Sequence, residues 1–471
     1  NVADIVGDNA NVIIFTALGS QDYTISGLTF TGVSRMQSNQ FALNISSGNA
    51  YIKDIDIIGS KSSINLRENI DCQIDMNNIN LININTSSPL VKIFDTQCQK
   101  ITISDLTTTN AYSSDTVFEV RYADNDIEFN RISVINDSPS SQRILYTSSD
   151  HPNLSVTIND SVFKNIGEIE SESILNINNS IFMQTHGIEQ TEDFPLTVKH
   201  SSFINNQSSN DAGAISSVST NNNLGFNLFV GNTGTKANNI YVANNVTDLG
   251  YNLVGANNID GFVSQAGLSF VQAFDSATSF TSVLTIEQIT EQTLADNGGD
   301  ISTVLPIFNG PAIDVIPAGD CQQGFDIRGI SRPQQSLCDI GAVELSSSDL
   351  DTDGDGIKDD YDAFPLDPTE SIDTDGDGIG NNADLDDDND GMTDIYENIY
   401  GLDSLVDDAD LDLDGDGVTN LYEFQSGTAA NDANSADTEF IESWQDNGKA
   451  TWNFVGEEQS GSEVSFVKAQ L

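Results

Sequence analysis

Residues 157–165 read TINDSVFKN and residues 176–184 read NINNSIFMQ. Apolar and polar side chains alternate in both, β-branched residues are frequent, and Asn, Asp and Ser cluster at the ends. A period of two in a short run is the pattern of a strand with one buried face. The same kind of word recurs along the chain: TISGLTFTG at 24–32, YIKDIDIIG at 51–59, DMNNINLIN at 75–83, TISDLTTTN at 102–110, EFNRISVIN at 128–136 and TVKHSSFIN at 197–205. LGFNLFVGN at 224–232 and LGYNLVGAN at 249–257 close the series. Anchored on Ile25, Ile52, Met76, Ile103, Phe129, Ile158, Ile177, Val198, Leu224 and Leu249, the words step by 19 to 29 residues.

A repeat of this length that cannot bury its own apolar face must stack on its neighbours, which makes a solenoid. Helical repeats of similar length carry a 3.6-residue apolar rhythm and abundant Ala, Leu, Glu and Lys; the rhythm here is two. A β-sandwich of short strands also shows turn residues at intervals, but it does not keep one register through so many repeats. The reading is an all-β fold, with a parallel β-helix over residues 1–293 and one turn per repeat.

The cysteines test this reading. Cys72 and Cys98 are 26 residues apart, the length of one turn. Residues on adjacent turns lie about 4.8 Å apart, inside the Cα separation of roughly 4.4–6.8 Å that a disulfide spans. A one-residue bulge brings the two into stack. Cys321 and Cys338, 17 residues apart, form the second expected disulfide. Neither pair has the CxxC spacing of zinc or redox sites, and structural disulfides imply an exported protein.

The 471 residues hold 72 Asp and Glu against 17 Lys and Arg, a formal charge of −55. Such a surface repels nucleic acid and anionic membranes and suits surroundings rich in screening cations. No apolar run approaches the roughly 20 residues of a membrane-spanning helix.

The repeat gives way to a different block over residues 294–346. Its words are Asn297-Gly298-Gly299, Pro311-Ala312-Ile313-Asp314, Asp326 with Arg328-Gly329, Arg332-Pro333 and Cys338-Asp339-Ile340-Gly341-Ala342. This block resembles the closing section of bacterial choice-of-anchor Q domain proteins, and the words LGFNLFVGN and LGYNLVG resemble that family's last coils. The resemblance implies a right-handed parallel β-helix on a bacterial surface, with residues 294–346 as its C-terminal cap. Asp326, Arg328 and Arg332 lie in a chain short of cations, which suits a structural ion-pair cluster stapled by Cys321 and Cys338.

Acids then crowd the chain, as in DLDDDNDGMTDIYE at 384–397. A calcium loop of twelve residues places oxygen ligands at positions 1, 3, 5, 7, 9 and 12, the seventh through its carbonyl, with Gly at position 6. Four segments fit. The first offers Asp351, Asp353, Asp355, the Ile357 carbonyl, Asp359 and Asp362; the second Asp373, Asp375, Asp377, the Ile379 carbonyl, Asn381 and Asp384. The third offers Asp386, Asp388, Asp390, the Met392 carbonyl, Asp394 and Glu397; the fourth Asp412, Asp414, Asp416, the Val418 carbonyl, Asn420 and Glu423. Oxygen ligands without nearby His or Cys point to Ca²⁺ rather than zinc or copper, and to four ions or more. A disordered acidic tail would not put Gly at position 6 and an apolar residue at position 7 or 8 each time. Glu397 and Glu423 at position 12 predict tighter sites than the shorter Asp362 and Asp384.

The close spacing of the loops, with FPLDPTES at 364–371 between two of them, resembles thrombospondin type 3 repeats of secreted marine bacterial proteins. The resemblance implies calcium-binding repeats over residues 347–437, with ions in place of a hydrophobic core and Asp349, Asp360 and Asp387 as additional ligands. The runs IYENIYGLD and NLYEFQSG start short helices.

Residues 438–471 return to period-two alternation around a DNG turn, a small C-terminal β segment of two or three strands. At the other end the strand-like NVIIFTAL at 11–18 has no amphipathic helix ahead of it. An uncovered first turn and a strand-forming tail predict head-to-tail pairing of the chain with itself; truncation at both ends is the alternative.

Many β-helices cut acidic polysaccharides. Here His151, His186 and His200 do not stack in register and read as solvent-facing turn residues, Lys53, Lys61 and Arg67 are scattered, and no aspartate pair recurs on one face. No catalytic residue is assigned. The expected function is a secreted, calcium-stabilised structural or adhesive protein of a bacterial surface or extracellular matrix. Its partners are itself and surface glycans; a polysaccharide lyase or hydrolase is the alternative.

Overall fold

The computed structural model of the chain describes residues 3–6, 13–15, 22–31, 43–45, 49–59, 64–67, 72–148 (without 87, 124 and 125), 153–255 (without 210, 211, 244 and 245), 262–264 and 278–435 (without 335). The segment 438–471, expected to form strands, lies outside these residues. The chain divides into two compact units, Asn1–Asp349 and Leu350–Leu471.

The first unit is a parallel β-solenoid. Ile25 lies opposite Ile52, Ile52 opposite Met76, and Met76 opposite Ile103. The column continues through Phe129, Ile158, Ile177, Val198 and Leu224, all of them buried. A stack of this kind puts every apolar side chain against the turn before and the turn after, so the core is continuous along the axis. The expected last anchor is off by one: Leu224 faces Asp248, not Leu249. Beyond it the register recovers, with Leu228 opposite Leu253. Leu249 is the extra residue between the two registers, because the Asp248 carboxylate turns back to accept from the Gly250 backbone and from Asn252.

One conformational device makes the corner between consecutive strands. Gly27, Asp54, Asn78, Asp105, Arg131, Asp160, Asn179, His200, Phe226 and Tyr251 all have φ between +47° and +65°. This left-handed region suits Gly, Asn and Asp and costs other residues roughly 1–2 kcal/mol. Where the ladder uses larger side chains, they are held by neighbours on the next turn. Arg131 donates to both Asp105 oxygens, and the His200 ring stacks on Phe226 at 4.5 Å, with Tyr251 5.8 Å beyond.

Just past the corner, Ser161, Ser180, Ser201, Asn227 and Asn252 are buried or nearly so. Each accepts a backbone N–H from the preceding turn: Ile132 to Ser161, Ser161 to Ser180, Ser180 to Ser201, Ser201 to Asn227, and Asn227 to Asn252. Polar side chains can therefore line the interior without unmet backbone donors. The remaining face is an eleven-stranded parallel sheet from Ile13–Phe15 to Phe262–Ser264. In the larger parallel sheet, on the strands that follow the corner, Phe163, Phe182, Phe203 and Phe229 stack with ring centroids 4.9–5.2 Å apart.

Both expected disulfides are present. Cys72–Cys98 joins adjacent turns with Cα atoms 4.3 Å apart. Gln73 faces Lys100 in the neighbouring strands, so the disulfide is displaced one residue from the strand register, as the bulge reading required. Cys321–Cys338 staples the block after the solenoid. There Arg328 binds Asp326 at 2.9 Å and Asp349 at 2.8 Å, and Arg332 binds Glu344 at 3.2 Å. All these side chains are buried, so the cluster is structural, held by charge-assisted hydrogen bonds in a dry interior. Asp349, expected as a calcium ligand, instead accepts from Arg328 and Ser346. His200 also departs from expectation. It is fully buried, because the corner that carries it is covered by the block, whose Gly341 and Ala342 backbones donate to Phe226 and Ser202.

The second unit inverts the usual core. Among its described residues the buried apolar side chains are Met392, Ala409 and Ala430, whereas Asp362, Glu370, Asp387, Glu397, Asn420 and Glu423 are buried. Tyr361 and Leu366 are each 81% exposed. Two short helices supply most of its regular structure, α1 (Asp394–Tyr400) and α2 (Asn420–Ser426). Each begins after a Thr and ends at a left-handed Gly, Gly401 or Gly427, the usual C-terminal cap. Tyr396 links them, edge-on to Phe424 at 4.9 Å and donating to the Thr428 carbonyl at 3.0 Å. No described helix is long and apolar enough to cross a membrane.

Candidate metal-binding loops

The four acidic segments fold as four copies of one loop. In the first, second and fourth loops position 1 uses both carboxylate oxygens to fix the turn, and in the third it uses one. Asp351, Asp373 and Asp412 accept from the fourth backbone N–H at 2.7–2.9 Å. Asp351, Asp373, Asp386 and Asp412 accept from the sixth, that of Gly356, Gly378, Gly391 or Gly417, at 2.8–3.1 Å. Those glycines have φ from +91° to +99°, a backbone that a side chain would strain. Positions 3 and 5 each turn one oxygen onto the backbone two residues ahead, as when Asp388 accepts from Asp390 and Asp390 from Met392.

One carboxylate oxygen from each of positions 1, 3 and 5 converges. Carboxylate oxygens of Asp351, Asp353 and Asp355 lie within 4.8 Å of one another, as do those of Asp373, Asp375 and Asp377, of Asp386, Asp388 and Asp390, and of Asp412, Asp414 and Asp416. Positions 1, 3 and 5 of every loop are thus brought together. Position 9 is used differently. Asp359, Asn381, Asp394 and Asn420 each accept from the backbone N–H at position 2 of their own loop, at 2.7–3.1 Å, so this side chain closes the loop. Of the position-12 residues, Glu397 sits in α1 and Glu423 in α2, both fully buried. Asp362 keeps one oxygen for Phe364 and Asp384 one for Leu385.

Several of these oxygens have no hydrogen-bond partner among the described residues. They are both oxygens of Glu397 and one each of Asp353, Asp362, Asp386, Asp387, Asp388, Asp414, Asp416 and Glu423. Leaving a buried carboxylate without a donor is expensive, and like charges nearby raise the cost. Burial first, then Asp388, Asp390 and Asp408, pushes the Glu397 carboxyl up to about 8. Burial, helped by Asp390, Asp386 and Asp407, pushes Asp388 up to about 6. Glu423 is raised by burial and by Asp414, Asp416 and Asp412. A cluster of oxygen donors with acceptor capacity facing inward, and no sulfur or nitrogen among them, fits a hard divalent cation such as Ca²⁺. When bound, the cation supplies the charge that lets these carboxylates ionise in a shared, buried place.

The second loop differs in degree. Its Asp377 is exposed, and none of its oxygens belongs to the buried unpartnered set. Asp387, proposed from the resemblance, does have an unpartnered buried oxygen. Two acids that loop numbering does not mark are also drawn in. Glu370, in the FPLDPTES segment, is buried and accepts from Asn382 at 3.0 Å; Asp408 meets Asp390 and Glu397. A twelve-residue pattern has no position for residues between loops, so periodic reading does not find them.

The two described histidines, His186 and His200, serve separate local contacts, and His151 lies outside the described residues. His186 Nδ1 lies 3.1 Å from Glu168, and the buried His200 is pushed down to about 2 by burial, with Arg332 and Lys199 adding to the effect. A cleft of about 820 Å³ lies along the corner ladder, lined by Arg131, Asp160, Asp300 and Phe325 among others. Of its lining acids, Asp105 is already bound by Asn77 and Arg131, and Asp160 accepts from Asn179 at 2.7 Å. No protein-family model, curated protein or solved structure matches this chain.

Proposed function

We propose that this chain is a secreted structural or adhesive protein whose acidic unit is held by calcium. The observation that carries the reading is the set of buried carboxylate oxygens without donors, headed by both oxygens of Glu397. Weak oxygen sites with Asp at position 12 fill at the millimolar calcium of extracellular fluids and stay empty at cytosolic levels. Two disulfides favour the same side of the membrane, since reducing compartments do not keep them. The resemblances of residues 294–346 to anchor-Q caps and of the acidic loops to thrombospondin type 3 repeats also point to a bacterial surface.

A solenoid stabilised by stacking presents long, repetitive faces, which suits a scaffold or an adhesive rod. Self-association of the chain belongs to the same reading. The test is thermal melting with sedimentation velocity on the full chain, in millimolar calcium and in EGTA, with magnesium as the control. Calcium alone should raise the melting point of the acidic unit, and calcium-dependent growth of sedimenting species with concentration supports assembly. Identical melting in calcium and EGTA overturns the calcium reading; a strictly monomeric chain in calcium removes assembly from it.

A further inference from the structure

The cleft along the corner ladder is shared by the solenoid and the block that closes it. Asn77, Asn78, Arg131 and Asp160 line it from the solenoid, Asp300 and Phe325 from the block. Its volume of about 820 Å³ falls in the range of roughly 300–1,000 Å³ typical of small-molecule sites. The lining side chains are preset by neighbouring turns. Arg131 gives Nε and Nη2 to Asp105, which leaves Nη1 as a donor. Asn77 and Asn78 donate their amides to Asp105 and Asp54 at 2.7 and 2.9 Å, which leaves their carbonyl oxygens as acceptors. Asp160 accepts from Asn179 through Oδ1; among the described residues its Oδ2 and both Asp300 oxygens take no hydrogen bond. Phe325 is 62% exposed on a pinned backbone. Asp326 donates to the Ile330 carbonyl at 2.7 Å and Arg332 to that of Gly324 at 2.9 Å, while the Phe325 carbonyl accepts from Asn179 at 3.5 Å. A single exposed ring is ordinary on an open surface. A ring fixed in the wall of a polar cavity is an anchor with little side-chain entropy left to lose.

The balance of donors and acceptors selects the ligand. Acceptors dominate, and the charges of Asp160 and Asp300 are not cancelled by Arg131, which is already paired with Asp105. Burial raises the Asp160 carboxyl above its ordinary value, against the Asn179 bond and the Arg131 charge, so the fold keeps this acid in the cleft at a cost. A uronate or sulfate would be repelled here, and an ammonium group would meet Arg131 in the same space. Hydroxyls fit, because each can donate to a carboxylate or carbonyl and accept from Arg131. An aromatic face beside such acceptors suits the C–H face of a sugar ring. We propose that the cleft binds a neutral glycan segment, with Phe325 packed on one sugar and Asp160, Asp300, Asn77 and Asn78 accepting from its hydroxyls. The proposal rests on the adhesive reading above and gives it a ligand class. The cleft lies wholly within the first unit, so binding does not require calcium.

The experiment passes the full chain over immobilised oligosaccharides and reads binding by surface plasmon resonance. The probes are neutral gluco-, manno- and galacto-oligosaccharides, the amino sugars of chitosan, and the uronates of alginate and polygalacturonate. Wild type is compared with Phe325→Ala, Phe325→Trp and Phe308→Ala; Phe308 is an exposed ring of the same block that does not line the cleft. The expected result is saturable binding of at least one neutral series and none of the uronates, the same in calcium and in EGTA. F325A should weaken it at least tenfold, as loss of an aromatic anchor does, while F308A leaves it unchanged and F325W, which keeps a ring, restores it. Amide exchange of 153–205 verifies that each variant is folded. No binding to any neutral series, binding confined to amino sugars or uronates, or F325A binding like wild type overturns the proposal. Those failures leave the calcium reading standing, since calcium-dependent melting tests that separately.

Discussion

Glu397 and Asp390 bring carboxylate oxygens to within 4.8 Å of each other, in a place where Glu397 is shut away from water. Without a cation this contact is repulsive; a cation held between the two carboxylates would offset that repulsion. Glu397→Gln should therefore act with opposite sign in the two conditions. In calcium it removes a bidentate ligand and weakens binding at least about tenfold, or 1.4 kcal/mol, lowering the melting point of the acidic unit. In EGTA it removes a buried, unpaired charge and raises that melting point, at about 4–8 °C per kcal/mol for a unit of this size. Calorimetric melts of both proteins in both buffers check the crossover; a loss in both buffers would contradict it.

Acid should stabilise the metal-free unit. The carboxyls of Glu397 and Asp388 are raised in the folded state to about 8 and about 6. A raised carboxyl keeps its proton in the fold after the unfolded chain has lost it, so the folded state binds more protons across that interval. Stability in EGTA is fully present below the ordinary carboxylate range and is lost as pH rises toward 8. Calcium reverses the trend by favouring the ionised forms, and its binding releases protons. Urea melts at pH 5 and pH 8, with and without calcium, are the check.

The Cys72–Cys98 disulfide closes a loop of one turn near the start of the described solenoid. Replacing both cysteines by Ala should cost about 2–4 kcal/mol, mainly by freeing the unfolded chain. The acidic unit should melt unchanged. Equilibrium urea unfolding read by tryptophan-independent far-ultraviolet dichroism measures it.

The corner ladder gives a positional prediction. Asn179 has φ +51° and donates to Asp160 at 2.7 Å. Asn179→Gly keeps the backbone and loses that bond together with a longer one, at 3.5 Å, to the Phe325 carbonyl, a cost of about 1–2 kcal/mol. Asn179→Val adds the left-handed penalty of roughly 1–2 kcal/mol and should be clearly worse. Phe182→Ala, in the middle of the ring stack, should cost about 3–5 kcal/mol.

Much of this fold was legible because a solenoid writes itself locally. The columns from Ile25 to Leu224 follow from alternation and spacing alone, and the 26-residue separation of Cys72 and Cys98 matches the length of one turn. The corner ladder was equally present in the words, as the central Gly, Asp or Asn of TISGLTF, YIKDIDI and NINNSIF. Apolar alternation carries no sign of it, because a left-handed corner residue counts there only as one more polar position. Leu249 was misplaced because two similar words, LGFN and LGYN, align perfectly at the corner while the strand before it slips by one. His200 was misjudged because its burial depends on the cap folding back over the corner, a contact 140 residues away in sequence of the kind Ala342 makes with Ser202. In the acidic unit the loop geometry was legible at positions 1, 3 and 5. The role of position 9 as a clasp, and the arrival of Asp408, arise from tertiary packing that no twelve-residue pattern contains.

The most direct measurement is amide hydrogen exchange of the full chain in millimolar calcium and in EGTA. The amides of Gly356, Gly378, Gly391 and Gly417 donate to the first aspartate of each loop, so their protection reports whether that loop is held. Slow exchange in calcium and fast exchange in EGTA at these glycines, with residues 153–205 unchanged, is the predicted result. Equal protection at the four glycines in both buffers would contradict a cation-held unit.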